Sequence, residues 1–202
     1  VLKSTSLQQS FICEFKINYK QCMDCIKDNT PHNWEGLVQI RQKVEHKKTF
    51  LLLEQLILKN KVAEKALKIE EAVDGLDFFF KKQDHTRRLV QFVQSCFPCN
   101  IKQSKQYIGV DVRSNITYHK YTTVVELAKI CKEDLVILTP KLAGQLGGWG
   151  RLLVCNKVSS VIQFMDPINM KILEMTSVTY FQNENEIVCI PSKGNMTEFM
   201  IN

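Results

Sequence analysis

The dipeptide Asp74-Gly75, set between two short strand-like segments, Leu67 to Val73 and Leu76 to Phe80, constrains this chain more than any other feature. An Asp-Gly step between two strand-like runs is the commonest short hairpin signal, because glycine takes up the turn geometry without steric penalty. Upstream, Trp34 to Arg41 reads as a strand through Leu37, Val38 and Ile40, and His46 to Lys59 reads as a helix. In that helix Leu52, Leu53, Leu56 and Ile57 make an apolar stripe, with Thr49, Glu54, Gln55 and Lys59 on other faces. Downstream, Asp84 is placed to cap a helix from His85 to Phe97, Pro98 stops it, and a strand follows over Ile101 to Val110. The order strand, helix, strand, strand, helix, strand predicts a split βαββαβ domain, with two helices on one face of a mainly antiparallel sheet. Ahead of it, Phe11 to Tyr19 alternates strictly, with Phe11, Cys13, Phe15, Ile17 and Tyr19 on one face, and predicts a half-buried strand.

After Ser114-Asn115 the pattern changes. Tyr121 to Ile130, Leu135 to Leu138, Leu152 to Val158, Val161 to Met165, Lys171 to Met175 and Val178 to Phe181 read as short strands. Turn signals fall at Asp166-Pro167-Ile168-Asn169 and across Gly144 to Gly150, and only Lys141 to Leu146 has room for a helical turn. Short strands so closely spaced predict a small SH3-like β-barrel. The fold class is therefore α+β, with an α+β domain over residues 1–112 and the barrel over 113–202.

A chain of 202 residues can bury two such cores. No run of eighteen apolar residues exists, so no transmembrane helix is expected. Val1-Leu2-Lys3-Ser4 has neither the charged start nor the apolar stretch of a signal peptide, and the missing initiator Met suggests a piece of a longer chain. Eight scattered Cys without a secretory signal read as reduced thiols of a cytosolic or nuclear protein. The glycosylation patterns at Asn115 and Asn195 are then chance matches. The net charge of +6 is uneven: residues 1–110 hold 18 Lys/Arg against 12 Asp/Glu, while residues 111–202 hold nine of each. A polyanionic partner is expected to meet the first half.

Two basic clusters carry the nucleic-acid reading. Arg41, Lys43, His46, Lys47 and Lys48 gather where the first strand leads into the first helix, and Lys81, Lys82, Arg87 and Arg88 open the second helix. Long cationic side chains at such junctions reach phosphate oxygens while the apolar stripe anchors the helix, and helix N-termini favour anions. A solvated charged face is the plainer explanation for either run alone. Both junctions are expected at one end of the sheet, which would make them a shared surface.

Cys22-Met-Asp-Cys25 has the spacing that lets two thiolates grip one zinc ion, but structural zinc takes four ligands. From spacing alone, half a metal site and an ordinary polar loop are both open. Cys96 and Cys99 repeat the spacing at a helix end, where core packing is expected. Gly144, Gly147, Gly148 and Gly150 fit neither a dinucleotide fingerprint nor a P-loop; they suggest a barrel loop, with Trp149 either packed or at a contact tip. No catalytic constellation is present, since the four His have no metal-type spacing and no nucleophile elbow or acid pair stands out. No enzyme activity is expected.

The stretch Arg41-Gln-Lys-Val-Glu-His-Lys-Lys-Thr-Phe-Leu-Leu-Leu-Glu-Gln-Leu-Ile-Leu-Lys59, with Asp74-Gly-Leu-Asp-Phe78 and Leu135-Val-Ile-Leu-Thr-Pro-Lys-Leu-Ala143, resembles the nuclear export adaptor family of the large (60S) ribosomal subunit. That family is named for an early link to nonsense-mediated mRNA decay. The resemblance runs through the chain from Cys22-Met-Asp-Cys25 to near Phe181. It implies a binding protein that lies across the joining face of the subunit, touches rRNA and ribosomal proteins near the exit site, and reaches toward the L1 stalk. It implies an exportin recruited through a tail beyond this chain, shuttling between nucleus and cytoplasm, no membrane partner, and a monomer. Family members pair a part like a large-subunit ribosomal protein with a part like the hypusine-bearing translation factor, the two places that the domain and the barrel fit. They also carry further Cys-x-x-Cys pairs upstream, so the resemblance makes Cys22 and Cys25 a half site whose partners lie outside this chain. No cofactor is then expected here, although zinc is expected in the full-length protein. Thr197 to Ile201 reads as the start of something further on, which would leave the barrel incomplete.

Overall fold

The computed structural model describes residues 9–22, 25–26, 33–44 and 47–190. The first sheet is built from β1 (Gly36–Arg41), β2 (Ala66–Ala72), β3 (Gly75–Phe80), β4 (Cys99–Asp111) and β5 (Ile116–Leu127), in the order β2-β3-β1-β5-β4. Helices α1 (Lys48–Lys59) and α2 (Gln83–Cys96) connect them. β3 runs antiparallel between β1 and β2, so β1 and β2 point the same way with a strand between them, as the split arrangement requires.

The hairpin at Asp74-Gly75 is present, and Gly75 is required by more than the turn. A Cβ there would lie 1.8 Å from the Ile40 carbonyl oxygen, so only glycine lets β3 start against the end of β1. At the other end of β1, a Cβ on Gly36 would lie 2.1 Å from Thr86 Oγ1, because α2 crosses directly over that strand. Val38, Ile40, Leu53, Ile57, Phe78, Phe80, Leu89, Val93 and Val125 fill the space between helices and sheet. Each side chain of this size contributes about 1.5–3 kcal/mol by leaving water. In α1 the buried face is Thr49, Phe50, Leu53 and Ile57, rotated from the expected stripe, and Leu52 stays exposed.

Three expectations are corrected. Phe11 to Tyr19 forms no strand: these residues have no regular secondary structure, and Phe11, Phe15, Ile17 and Tyr19 are exposed. The boundary expected near residue 112 falls in the turn of a β4–β5 hairpin. β5 inserts beside β1 in parallel, so residues 116–127 complete the first sheet instead of opening the barrel. The alternation of β5 looks the same in either sheet, and only strand pairing decides between them. Val178 to Phe181 is helical, within α4 (Ser177–Gln182), whose start Thr176 caps by accepting the Thr179 N–H.

The second sheet is antiparallel, with β6 (Leu135–Leu138), β7 (Leu152–Val158), β8 (Val161–Met165), β9 (Ile172–Thr176) and β10 (Ile187–Ile190) in the order β10-β6-β7-β8-β9. A short helix α3 (Pro140–Gln145) follows β6, and Thr139 caps it. β6 to β9 form a meander, and β10 folds back beside β6 after one 3-10 turn at Glu184–Glu186. Trp149 is packed against this core, not displayed at a tip. The Thr197 to Ile201 segment lies outside the described residues.

The second sheet meets the first at the Arg41 end. Gln42 donates to the Ala128 carbonyl at 2.9 Å, Thr49 to Ile130 at 3.4 Å, and Ser177 to Cys99 at 3.2 Å. At the far end the β4–β5 hairpin runs on past its neighbours. β1 pairs no further than Gly36 with Tyr121, and the residues from Gln106 to Lys120 form a two-stranded arm.

Candidate nucleic-acid interface

The two basic clusters do not share a surface. β1 and β3 are antiparallel, with Gly36 opposite Phe80 and Arg41 opposite Gly75. The junction after β1 and the junction after β3 therefore sit at opposite ends of the sheet, against expectation. Five strand steps separate them by about 17 Å, roughly twice the Debye length of about 8 Å at physiological ionic strength. The clusters act as independent charges.

At the Arg41 end much of the charge is already engaged. The Arg41 guanidinium pairs with the Asp77 carboxylate at 2.5 Å, with both side chains largely buried, and it also donates to the Leu76 carbonyl at 3.3 Å. Arg41 is thus a structural cation and is withdrawn from the phosphate-binding set. Lys47 Nζ donates to the Val73 carbonyl at 2.8 Å and so holds the β2–β3 turn. Lys43 and Lys48 are exposed, and His46 lies outside the described residues.

The other end is richer than the sequence suggested. Lys82 is the N-cap residue of α2, and α1 delivers its C-terminal loop alongside. Lys61, Lys65, His85 and Arg88 line a 150 Å³ hollow together with Val62 and Glu64. Burial first, and then the charges of Lys65, Arg88 and Lys82, hold His85 below the usual imidazole range, while Asp84 pulls the other way. Lys65, Lys82 and Arg88 thus act on the imidazole at the start of a fourteen-residue helix, where the backbone dipole is also positive. Arg87 sits on the other flank of α2, beside Gln83 at 3.3 Å and Asp84 at 3.7 Å. Lys81 is half-buried.

Sequence reasoning missed Lys61 and Lys65. They are about twenty residues from α2, and only the return of α1 along the sheet brings them to it; the one local signal was a run of Lys after the end of a helix. It also missed the aromatic flank. Lys120 Nζ stands 4.0 Å over the Trp34 ring and Lys105 Nζ 5.7 Å over Tyr121. Tyr107, His119 and Tyr121 follow one another along one face of the arm, with ring centroids 5.8 and 6.3 Å apart.

The thiols divide into two kinds. Cys22 and Cys25 are exposed, their sulfurs are 3.2 Å apart, and the Cys25 N–H points at the Cys22 sulfur at 3.3 Å. A tetrahedral zinc with bonds of about 2.3 Å sets its sulfurs about 3.8 Å apart, so this turn fits half a site after a small opening. Among the described residues no group of three or more His, Cys, Asp or Glu could hold a metal. Cys96 and Cys99 pack against the first core, and burial raises the Cys99 thiol to about 11. Cys155 is raised to about 12 by burial and by Asp134, whose carboxylate also accepts from Cys189 at 3.4 Å. Cys99 and Cys155 stay protonated near neutral pH.

Comparison with known proteins follows these boundaries. The family model described as the second domain of NMD3 matches residues 33–127, the span from just before β1 to the end of β5. The NMD3 SH3 domain model matches residues 130–178. The 60S ribosomal export protein NMD3 of Dictyostelium discoideum is 43% identical over 183 residues, which is 91% of this chain and 34% of that protein. The Schizosaccharomyces pombe protein of the same description is 40% identical over 198 residues, 98% of this chain and 39% of its own length. The human one is 36% identical over 201 residues, 100% of this chain and 40% of its own. The chain thus spans less than half the length of these relatives.

Proposed function

The chain belongs to the NMD3 family, and from that premise we propose that it binds the rRNA of the pre-export large ribosomal subunit and forms part of the adaptor for its nuclear export and late maturation. The observation that carries this reading is the ring of Lys61, Lys65, Lys82 and Arg88 around His85, at the sheet end remote from the second sheet. Four exposed cations beside a helix N-terminus fit phosphate oxygens and give affinity without base specificity. Lys81 and Arg87 support the set from the same end, whereas Lys43, Lys47 and Lys48 are secondary because they lie at the occupied end. The role is binding, not catalysis.

On this reading the subunit's joining face near the exit site and L1 stalk is the partner, the chain acts as a monomer, and the exportin is recruited by a tail outside these residues. Such a protein shuttles between nucleus and cytoplasm. Cys22 and Cys25 serve as half of a zinc site completed by ligands upstream.

The test is co-sedimentation of the purified chain with free large subunits at low salt and at fourfold higher salt. Binding that weakens by orders of magnitude supports the proposal. Salt-independent binding that survives nuclease treatment favours a protein-interaction module instead. The feature on that side is the exposed row Leu51, Leu52 and Leu58 on α1.

A further inference from the structure

On the flank of α2 opposite the phosphate hollow, the helix and strands β4 and β5 enclose a 610 Å³ cleft. Its walls carry the amides of Gln83, Gln91, Gln94 and Gln103, the Arg87 guanidinium and the Tyr121 ring, and no carboxylate lines it. Tyr121 lies on the same face of β5 as His119, and Tyr107 is paired directly opposite His119. The cleft therefore opens onto the aromatic face of the arm, beside the exposed Lys105. Tyr107 is 58% exposed, which is unusual for a ring that serves only to pack.

We infer that this cleft and arm hold a short unpaired segment of RNA, with bases stacked on Tyr107, His119 and Tyr121 and their edges met by the glutamine amides. Amides both donate and accept, so they suit the Watson–Crick edges that only unpaired bases expose. Stacking rings beside cations are the usual equipment for single strands, because every base has a π-face. A duplex has no bases free to enter, since its Watson–Crick edges are already paired. The absence of lining carboxylates, with Arg87 and Lys105 at the cleft and its mouth, favours a polyanion over a basic peptide. The Asp84 carboxylate beside Arg87 lies outside the lining and only moderates that charge. This inference rests on the RNA reading above but concerns a different surface and a different form of RNA.

The test uses the whole 202-residue chain and a fluorescent 12-nucleotide mixed-sequence RNA, compared with the same RNA annealed to its complement. Preference for the single strand is expected, and Tyr107→Ala combined with His119→Ala should weaken it about 5- to 100-fold, the loss of one or two stacked bases. The slope of affinity against salt should not change, since neither side chain neutralises phosphate. Gln91→Ala, on the helix surface, serves as the second variant if the double one unfolds, and should weaken single-strand binding several-fold. Photo-cross-linking with 4-thiouridine should label peptides within residues 83–123. Equal affinity for duplex and single strand, an unchanged affinity in both variants, or labels elsewhere overturns the inference. Losing it leaves subunit binding through Lys61, Lys65 and Arg88 intact, whereas failure of that binding leaves the single-strand preference measurable.

Discussion

Removing charge from one end of the sheet at a time tests the central reasoning. If Lys61, Lys65, Lys82 and Arg88 each neutralise one phosphate, the logarithm of affinity falls against the logarithm of salt with a slope of about −2.8 to −3.6. A fourfold rise in salt then weakens binding about 50- to 150-fold. Lys65→Gln with Arg88→Gln removes two of the four contacts and should bring the slope to about −1.4 to −1.8. Lys43→Gln with Lys48→Gln removes the same formal charge at the other end. Because about 17 Å separates the ends and salt screens exposed charges over about 8 Å, this pair should leave the slope nearly unchanged. All four side chains are exposed, so stability should move by no more than about 0.5 kcal/mol, as a thermal melt checks. The assay is binding to free large subunits at four or five salt concentrations. Equal slope changes from both pairs, or a change only from the Lys43 and Lys48 pair, would refute the localisation.

Four further outcomes follow from the geometry. Gly75→Ala should destabilise the first sheet by about 3 kcal/mol or more, seen as a lowered urea midpoint, since its Cβ meets the Ile40 backbone oxygen at 1.8 Å and backbone cannot step aside. Lys61 holds a left-handed backbone at φ 51°, so Lys61→Gly should leave stability unchanged or raise it by up to about 1 kcal/mol while weakening subunit binding. His85, held below its ordinary pKa, is neutral at pH 7, and a phosphate beside it would raise that pKa. Binding then takes up a proton and tightens as pH falls through the bound-state pKa, while fold stability declines below about 6.5, where the unfolded imidazole protonates first; His85→Gln should remove both trends. Zinc added to this chain should bind weakly through Cys22 and Cys25, and Cys22→Ser should abolish it, whereas one tightly held equivalent would show that the site is complete here.

By itself the sequence determined the local elements and their kind. Asp74-Gly75 specified a hairpin, the apolar spacing over His46 to Lys59 and His85 to Phe97 specified helices, and the order of elements specified a split βαββαβ domain followed by a small SH3-like unit of short strands. These are properties of neighbouring residues, set by backbone sterics and the burial of one face, so they survive without knowledge of what packs on them. The tertiary structure decided everything that depends on strand partners. It placed β5 in the first sheet, left Phe11 to Tyr19 outside both described sheets, and sent the two basic clusters to opposite ends. The reason is that strand direction is a relation between distant segments: an antiparallel β1–β3 pair reverses which end each junction occupies. The same relation turned Arg41 inward onto Asp77 and brought Lys61 and Lys65 to Arg88. Residue types alone carry charge, but only the fold decides whether that charge faces a partner or a neighbour.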